Sequence, residues 1–290
     1  MMEQKKKVLF VATVVKTHIN TFHLPFLKMF KEYGWEVHVA AKNDFVDEPC
    51  VIPNCDRHFD IDFARSPFSK SNIKAYKQLK QIIETNHYDI IHCHTPVAGV
   101  LTRLAARTAK GTTVIYTAHG FHFYQGAPLI NWLVYYPVER VCGKFTDKLI
   151  TINQEDYHRA NSWSLRNNGK IYYVPGIGVD LEEIQNISIN KVQKKKEIGI
   201  SNDVKVLLSV GELNKNKNHE IIIRVLSKLT NKNFIYLICG NGELKEYLKN
   251  LAKELGVSDK VKFLGYRKDV LEIYKIADLF LFPSKREGLP

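Results

Sequence analysis

The sequence is 290 residues long, 45% hydrophobic and 25% charged, with a net charge of +12. That length holds one large domain or two ordinary ones, and the composition is that of a soluble globular chain. No run reaches the roughly 18 apolar residues of a membrane span, and five cysteines without a CxxC pair exclude a disulfide framework or a zinc ribbon.

The compartment those thiols fit is a reducing cytoplasm. The basic balance favours an anionic partner, either a phosphorylated substrate or an acidic membrane surface. Nucleic acid is not expected, since no zinc-finger spacing, RNA-binding aromatic motif or arginine-rich arm is present. The opening "KKKVLFVATVV" has basic residues before an apolar run. That run is short, β-branched and without a small-residue cleavage site, so it reads as a first strand rather than a signal peptide.

In chain order, β-branched runs predict strands over 7–14, 36–41, 89–94, 112–119, 148–153 and 171–175. Between them lies helical periodicity, with Ile73, Tyr76, Leu79 and Ile83 marking one face. Such alternation implies a parallel sheet covered by helices on both sides. A lysine-rich, poorly periodic stretch over 181–203 reads as a linker. The pattern then restarts with "VKVLLSV", and strands are expected over 234–240, 261–265 and 279–284, the last one buried. Helical faces fall at Ile222, Val225, Leu226 and Leu229, then at Leu244, Tyr247, Leu248, Leu251 and Leu255. The fold class is therefore α/β, with two doubly wound Rossmann-like domains, 1–180 and 204–290, facing a cleft. The second shows four strands where about six are common, so it reads as incomplete.

A dehydrogenase needs a GxGxxG turn after its first strand. Here "VKTHINTFH" has no glycine and "VGELNKNKNH" has only Gly211; no Walker A motif occurs either. The strand ends carry polar groups instead. In "YTAHGFHFYQG", His119 closes a strand and is followed by Gly120. His92 and His94 share a strand face in "IHCHTP", but no third ligand lies within sequence reach, so no metal is expected. In "VPGIGVD", Gly178 and Asp180 follow a strand, to turn the chain or to let backbone approach a ligand. Lys215 and Lys217 precede a helix starting near His219, a setting whose charge and dipole both suit a diphosphate.

Taken in order, "TAHG", "GVD", "SVGELNKNKNHE", "CGNGELKEYLKNLAKELGVSDKVKFLGYRKDV" and "IADLFLFPSKREGLP" resemble glycosyltransferase family 4. These are retaining, sugar-nucleotide-dependent enzymes of the GT-B fold, and the likeness spans essentially the whole chain. "KTHINTFHLPFLKMFKEYGWEVHVAAK" and "GFHFYQGAPLINWLVYYPVERVCGKFTDKLITIN" resemble the bacterial branch that builds capsule and exopolysaccharide.

The resemblance implies an acceptor domain first and a nucleotide-sugar donor domain second. His119 matches the histidine that contacts the transferred sugar, and Lys217 the lysine that neutralises the leaving diphosphate. Glu212 stands where many members carry arginine, leaving Lys215, Arg267 or a first-domain residue to complete the clamp. Leu264, Gly265 and Arg267 match backbone that holds the base. Glu287 matches the first glutamate of an E-x7-E motif, with Gly288 and Leu289 giving amides near the phosphates. The second glutamate would fall at position 295, beyond Pro290, so the chain is read as cut inside its donor site and weakly active.

The implied reaction is transfer from a UDP-linked sugar to a saccharide or polyprenyl-linked saccharide at the inner face of the membrane, without a metal or other cofactor. "DID" at 60–62 matches a metal motif in letters only. Trp132, Tyr135 and Tyr136 either meet lipid or pack a helix onto the sheet. A GT-B sugar-nucleotide 2-epimerase and a non-catalytic subunit of a polysaccharide complex are the alternatives.

Overall fold

The computed structural model describes residues 5–176, 178, 181–230 and 233–287. The chain divides into two compact units, the first ending at Gly178 and the second running to Glu287. Asp180, Gly288 and Leu289 lie outside the described residues.

The first unit carries β1 (Lys7–Val14), α1 (Asn20–Phe22), α2 (Leu24–Glu32), β2 (Glu36–Lys42), β3 (Arg57–Asp60), α3 (Ser71–Asn86), β4 (Ile90–His94) and α4 (Pro96–Ala105). It continues with β5 (Thr113–Ala118), α5 (Leu129–Gly143), β6 (Lys148–Thr151), α6 (Gln154–Ala160) and β7 (Lys170–Tyr173). All pairings are parallel, in the order β3-β2-β1-β4-β5-β6-β7. The chain runs outward from β1 in one direction and from β4 in the other. The crevice between the ends of β1 and β4 is thus the topological switch point, where an open α/β sheet receives a ligand.

Burial follows the sequence pattern on the strands. Leu9, Val11, Ile91 and Val114 pack with Leu79 and Ile83 of α3 on one side of the sheet. Val8, Phe10, Val37 and Val39 pack with Leu27 of α2 on the other. Each such side chain contributes about 1.5–3 kcal/mol by leaving water. On α3 the inward face is rotated from the expected one: Ala75, Leu79 and Ile83 are buried while Ile73 is 61% exposed. Close packing also fixes Gly99 on α4, where a Cβ would sit 2.7 Å from the Tyr116 ring. Beneath it the buried Arg103 bonds Glu139 of α5 at 2.9 Å and lies over the same ring.

The second unit carries α7 (Leu181–Asn186), α8 (Lys191–Ile198), β8 (Lys205–Val210), α9 (His219–Lys228), β9 (Phe234–Cys239), α10 (Lys245–Glu254), β10 (Val261–Gly265), α11 (Val270–Ile276) and β11 (Leu279–Phe280). Its sheet is parallel, in the order β10-β9-β8-β11. Two expectations change here. The stretch read as a linker contains α8, which buries Ile198 against Ile273 and Ile276 of α11. The Lys194 ammonium of α8 is held by Asp269 (2.6 Å) and Glu272 (2.5 Å). The run 279–284 is not a buried strand: β11 is two residues long, and Leu279, Phe280 and Phe282 are 41–52% exposed. The cause is position, since among the described residues β11 borders only β8.

Candidate functional site

Each sheet gathers its polar groups at the C-terminal ends of its strands. In the first unit, β1 runs into a five-residue π-helical turn, Val15–Ile19, an irregularity common at functional sites. Thr95, next after β4, has φ 62° and ψ 149°, a conformation costing a β-branched residue about 1–3 kcal/mol. Its hydroxyl meets that of Thr13 at 2.7 Å, bridging the crevice between β1 and β4. Beside this bridge lies a cavity of about 520 Å³, lined by Thr13, Thr17, His18 and Thr95 and by apolar Val97, Val100, Leu101 and Val138.

His119 follows β5 directly, with Nε2 3.4 Å from His94 Nδ1. His92 and His94 do share one strand face, their rings 4.2 Å apart. The sequence reasoning missed His18 and His23. His18, carried by the π turn, packs edge-on to His119 at 5.1 Å, and the buried His23 stacks on His94 at 3.8 Å. The reason for expecting no third ligand therefore fails, because these rings come from a segment about 70 residues upstream. Burial pushes His119 down to about 4. At neutral pH its imidazole is uncharged, one nitrogen donating and one accepting. It suits a sugar hydroxyl and not the charge of a diphosphate.

In the second unit, three glycines bring the loops after β8, β9 and β10 together. A Cβ on Gly240 would lie 1.9 Å from the Gly211 carbonyl oxygen, and one on Gly242 would lie 2.5 Å from that of Leu213. The Gly240 N–H donates to the Gly265 carbonyl at 2.7 Å, and Gly265 takes φ +69°. Gly240 and Gly242 were not singled out from sequence, although their "GNG" spacing is visible.

Across this backbone floor lies Lys217, whose stem passes 3.3 Å from the position of a Gly211 Cβ. Its ammonium pairs with Glu287 Oε1 at 2.7 Å. Asn216 accepts from the Lys285 N–H and donates to the Arg286 carbonyl, both at 2.8 Å, tying the two loops together. Helix α9 starts two residues on, after Asn218 at φ 54°, without a side-chain cap. A cation, uncapped helix amides and close-approaching backbone together suit a diphosphate.

The remaining expected residues fall unevenly. Lys215 is exposed, lining a shallow hollow with Asn214, Glu220 and Lys285. Glu212 is exposed and accepts from Asn214. Arg267 is not poised as a clamp: both Asp269 oxygens take its guanidinium, at 2.7 and 2.6 Å. Leu264 is half-buried in the core under α11, and Gly178 is exposed at φ +83°. Trp132, Tyr135 and Tyr136 pack against the core around Phe123, with Arg159 over Trp132 at 4.4 Å, so these rings do not form an exposed interface. The outer face of α5 instead exposes Leu129, Ile130, Leu133 and Val141.

Two parallel α/β units with ligand-receiving strand ends define a class, and comparison with known proteins gives the family. A "Glycosyl transferase 4-like" model matches residues 7–153 and a "Glycosyl transferases group 1" model matches 190–290. The chain belongs to this glycosyltransferase family and has its GT-B fold. It is 45% identical over 289 residues to "Putative glycosyltransferase EpsD" of Bacillus subtilis (strain 168), covering 98% of this chain and 74% of that protein. It is 34% identical over 227 residues to the "UDP-Gal:alpha-D-GlcNAc-diphosphoundecaprenol alpha-1,3-galactosyltransferase" of Escherichia coli, covering 76% of this chain and 57% of that protein. Among solved structures, sucrose-phosphate synthase from Thermosynechococcus elongatus shares the fold at 14% identity and TM-score 0.75, covering 99% of this chain and 77% of that one.

Proposed function

We propose that this glycosyltransferase moves a sugar from a UDP-linked donor to a polyprenyl-diphosphate-linked saccharide in bacterial surface polysaccharide synthesis, with retention at the anomeric carbon. The observation that carries the reading is the Lys217–Glu287 pair, 2.7 Å apart over the Gly211 backbone. A cation suited to a leaving diphosphate, beside a carboxylate suited to sugar hydroxyls, supports this reading. The Escherichia coli relative supports the donor and acceptor classes by its name.

In this reaction the bond from the anomeric carbon to the diphosphate oxygen breaks, and the acceptor oxygen bonds on the same face. The acceptor proton passes to the departing phosphate. Lys217 and the first amides of α9 stabilise the charge that grows on that phosphate, a role that needs preorganised donors rather than a metal ion. Neutral His119 hydrogen-bonds the sugar. The cavity beside Thr13 and Thr95 offers the acceptor an apolar wall, and the exposed apolar face of α5 suits approach to a lipid-linked substrate. Among the described residues no helix is long and apolar enough to cross a membrane.

The test is incubation with a panel of UDP-sugars and undecaprenyl-diphosphate-linked acceptors, reading product by mass and anomeric configuration by NMR. A transferred α-linked sugar is expected from an α-linked donor. An inverted linkage would overturn retention. Release of UDP with a free sugar and no acceptor dependence would replace transfer by epimerisation.

A further inference from the structure

The edge of the first sheet holds more imidazole than contact with one sugar requires. Ring nitrogens of His18, His23, His94 and His119 lie within 4.8 Å of one another. Among the described residues, four buried ring nitrogens there lack a hydrogen-bond partner: His18 Nε2, both nitrogens of His23, and His94 Nε2. Buried polar atoms are nearly always satisfied, so orphaned nitrogens on three neighbouring rings call for a ligand that accepts lone pairs.

We infer that His18, His23, His94 and His119 form a binding site for a borderline divalent transition metal of the Zn2+ class. Imidazole donors select such ions over Mg2+ and Ca2+, which take oxygen ligands. Each neutral imidazole offers one lone-pair nitrogen to an ion, and binding is expected to strengthen as pH rises through the range where imidazole loses its proton.

Tetrahedral Zn–N bonds of about 2.0–2.1 Å place nitrogens roughly 3.3 Å apart. The four rings therefore converge by side-chain rotation, with the stacked His23 and His94 fanning open. His92 stays outside the set, its Nε2 already 2.8 Å from the Thr117 hydroxyl. The cavity lined by Thr13, Thr17 and His18 gives an ion its way in. The ligands come from the segment after β1 and from the ends of β4 and β5. A bound ion would pin the π turn to the sheet. The consequence for catalysis rests on the proposed function: an ion that takes the His119 lone pair competes with the sugar.

The experiment uses tag-free protein stripped with a chelator and titrated with Co2+. The expected result is one equivalent bound, with the intense visible absorption of a nitrogen-ligated low-coordinate ion. Zn2+ should displace it and raise the melting temperature. His18→Ala and His23→Ala should each weaken binding by roughly 10–100-fold or more. Cys50→Ser should change nothing, although Cys50 Sγ lies 3.9 Å from His58 Nδ1. If His23→Ala does not fold, the half-buried His18 carries the test. Absence of a one-equivalent absorption would overturn the site, as would unchanged Co2+ affinity in His18→Ala or a signal that vanishes with Cys50→Ser. Because binding is read without turnover, undiminished sugar transfer with the site filled would instead count against the role given to His119.

Discussion

The first sheet ends β1, β4 and β5 among buried and half-buried imidazoles, whereas the second ends β8, β9 and β10 on glycine backbone crossed by a charged pair. Both edges belong to the same kind of parallel sheet, so topology alone does not set their chemistry. The difference lies in what each edge is built to meet. Under the proposed function, glycines would let backbone amides approach a diphosphate, and Lys217 would supply the charge. Neutral histidines beside an apolar cavity suit hydroxyls and a carbon skeleton, where a fixed cation would be costly to bury.

The largest effect is expected at the glycines of the second unit. Gly240→Val should destabilise the second unit by about 3 kcal/mol or more, because its side chain must displace the Gly211 backbone. Denaturant unfolding reads this, and an unchanged midpoint would mean that the loops are not in contact. Lys217→Ala should lower kcat by about 10²–10³-fold with melting unchanged, the usual worth of a preorganised charge stabiliser. Lys217→Arg should recover part of the loss; equal loss in both would make geometry, not charge, the deciding factor.

At the first edge, His119→Asn should cost roughly 10–100-fold in kcat, less than loss of the cation, since a neutral hydrogen bond is the weaker stabiliser. Imidazole NMR should find His119 titrating near 4. A midpoint above neutral pH would place a charged histidine there and erase the contrast between the two edges.

The smallest effect concerns neither edge. Burial alone would raise the Asp147 pKa, but bonds from Arg166, the Val114 N–H and Asn167 hold it below the usual carboxylate range. Its folded pKa is therefore lower than its unfolded one. The stabilisation is complete above about pH 4 and is lost as pH falls through the folded value. Asp147→Asn should cost about 1–3 kcal/mol at neutral pH and flatten the acid side of the stability profile. An unchanged slope between pH 5 and 2 would remove Asp147 from the account.

Most strands were legible because a buried parallel strand is a continuous apolar run, and the ends of β1, β2, β4, β5, β9 and β10 fall within about a residue of expectation. The strand β3, "RHFD", was not singled out, since an edge strand need not be apolar. The helix α8 was hidden by its lysines: besides Ile198, what docks it is Lys194, whose carboxylate partners lie 75 and 78 residues away. Lys217 and Glu287 were named through the family resemblance, but their pairing depends on loops 70 residues apart. His18 and His23 were invisible as partners of His94 because they lie about 70 residues upstream of it, and the π turn that carries His18 has no sequence signature. The engagement of Arg267 could have been read, since Asp269 stands only two residues on.

The central claim is that the edge of the second sheet receives the donor diphosphate. The most direct measurement is an amide NMR titration with UDP, comparing wild type with Lys217→Ala. Saturable shifts are expected at Gly211, Lys217, Gly240 and Gly265 in the wild type, with affinity at least tenfold weaker in the variant, as for loss of one charge-assisted contact. Shifts confined to other residues, or equal affinity in both proteins, would contradict it.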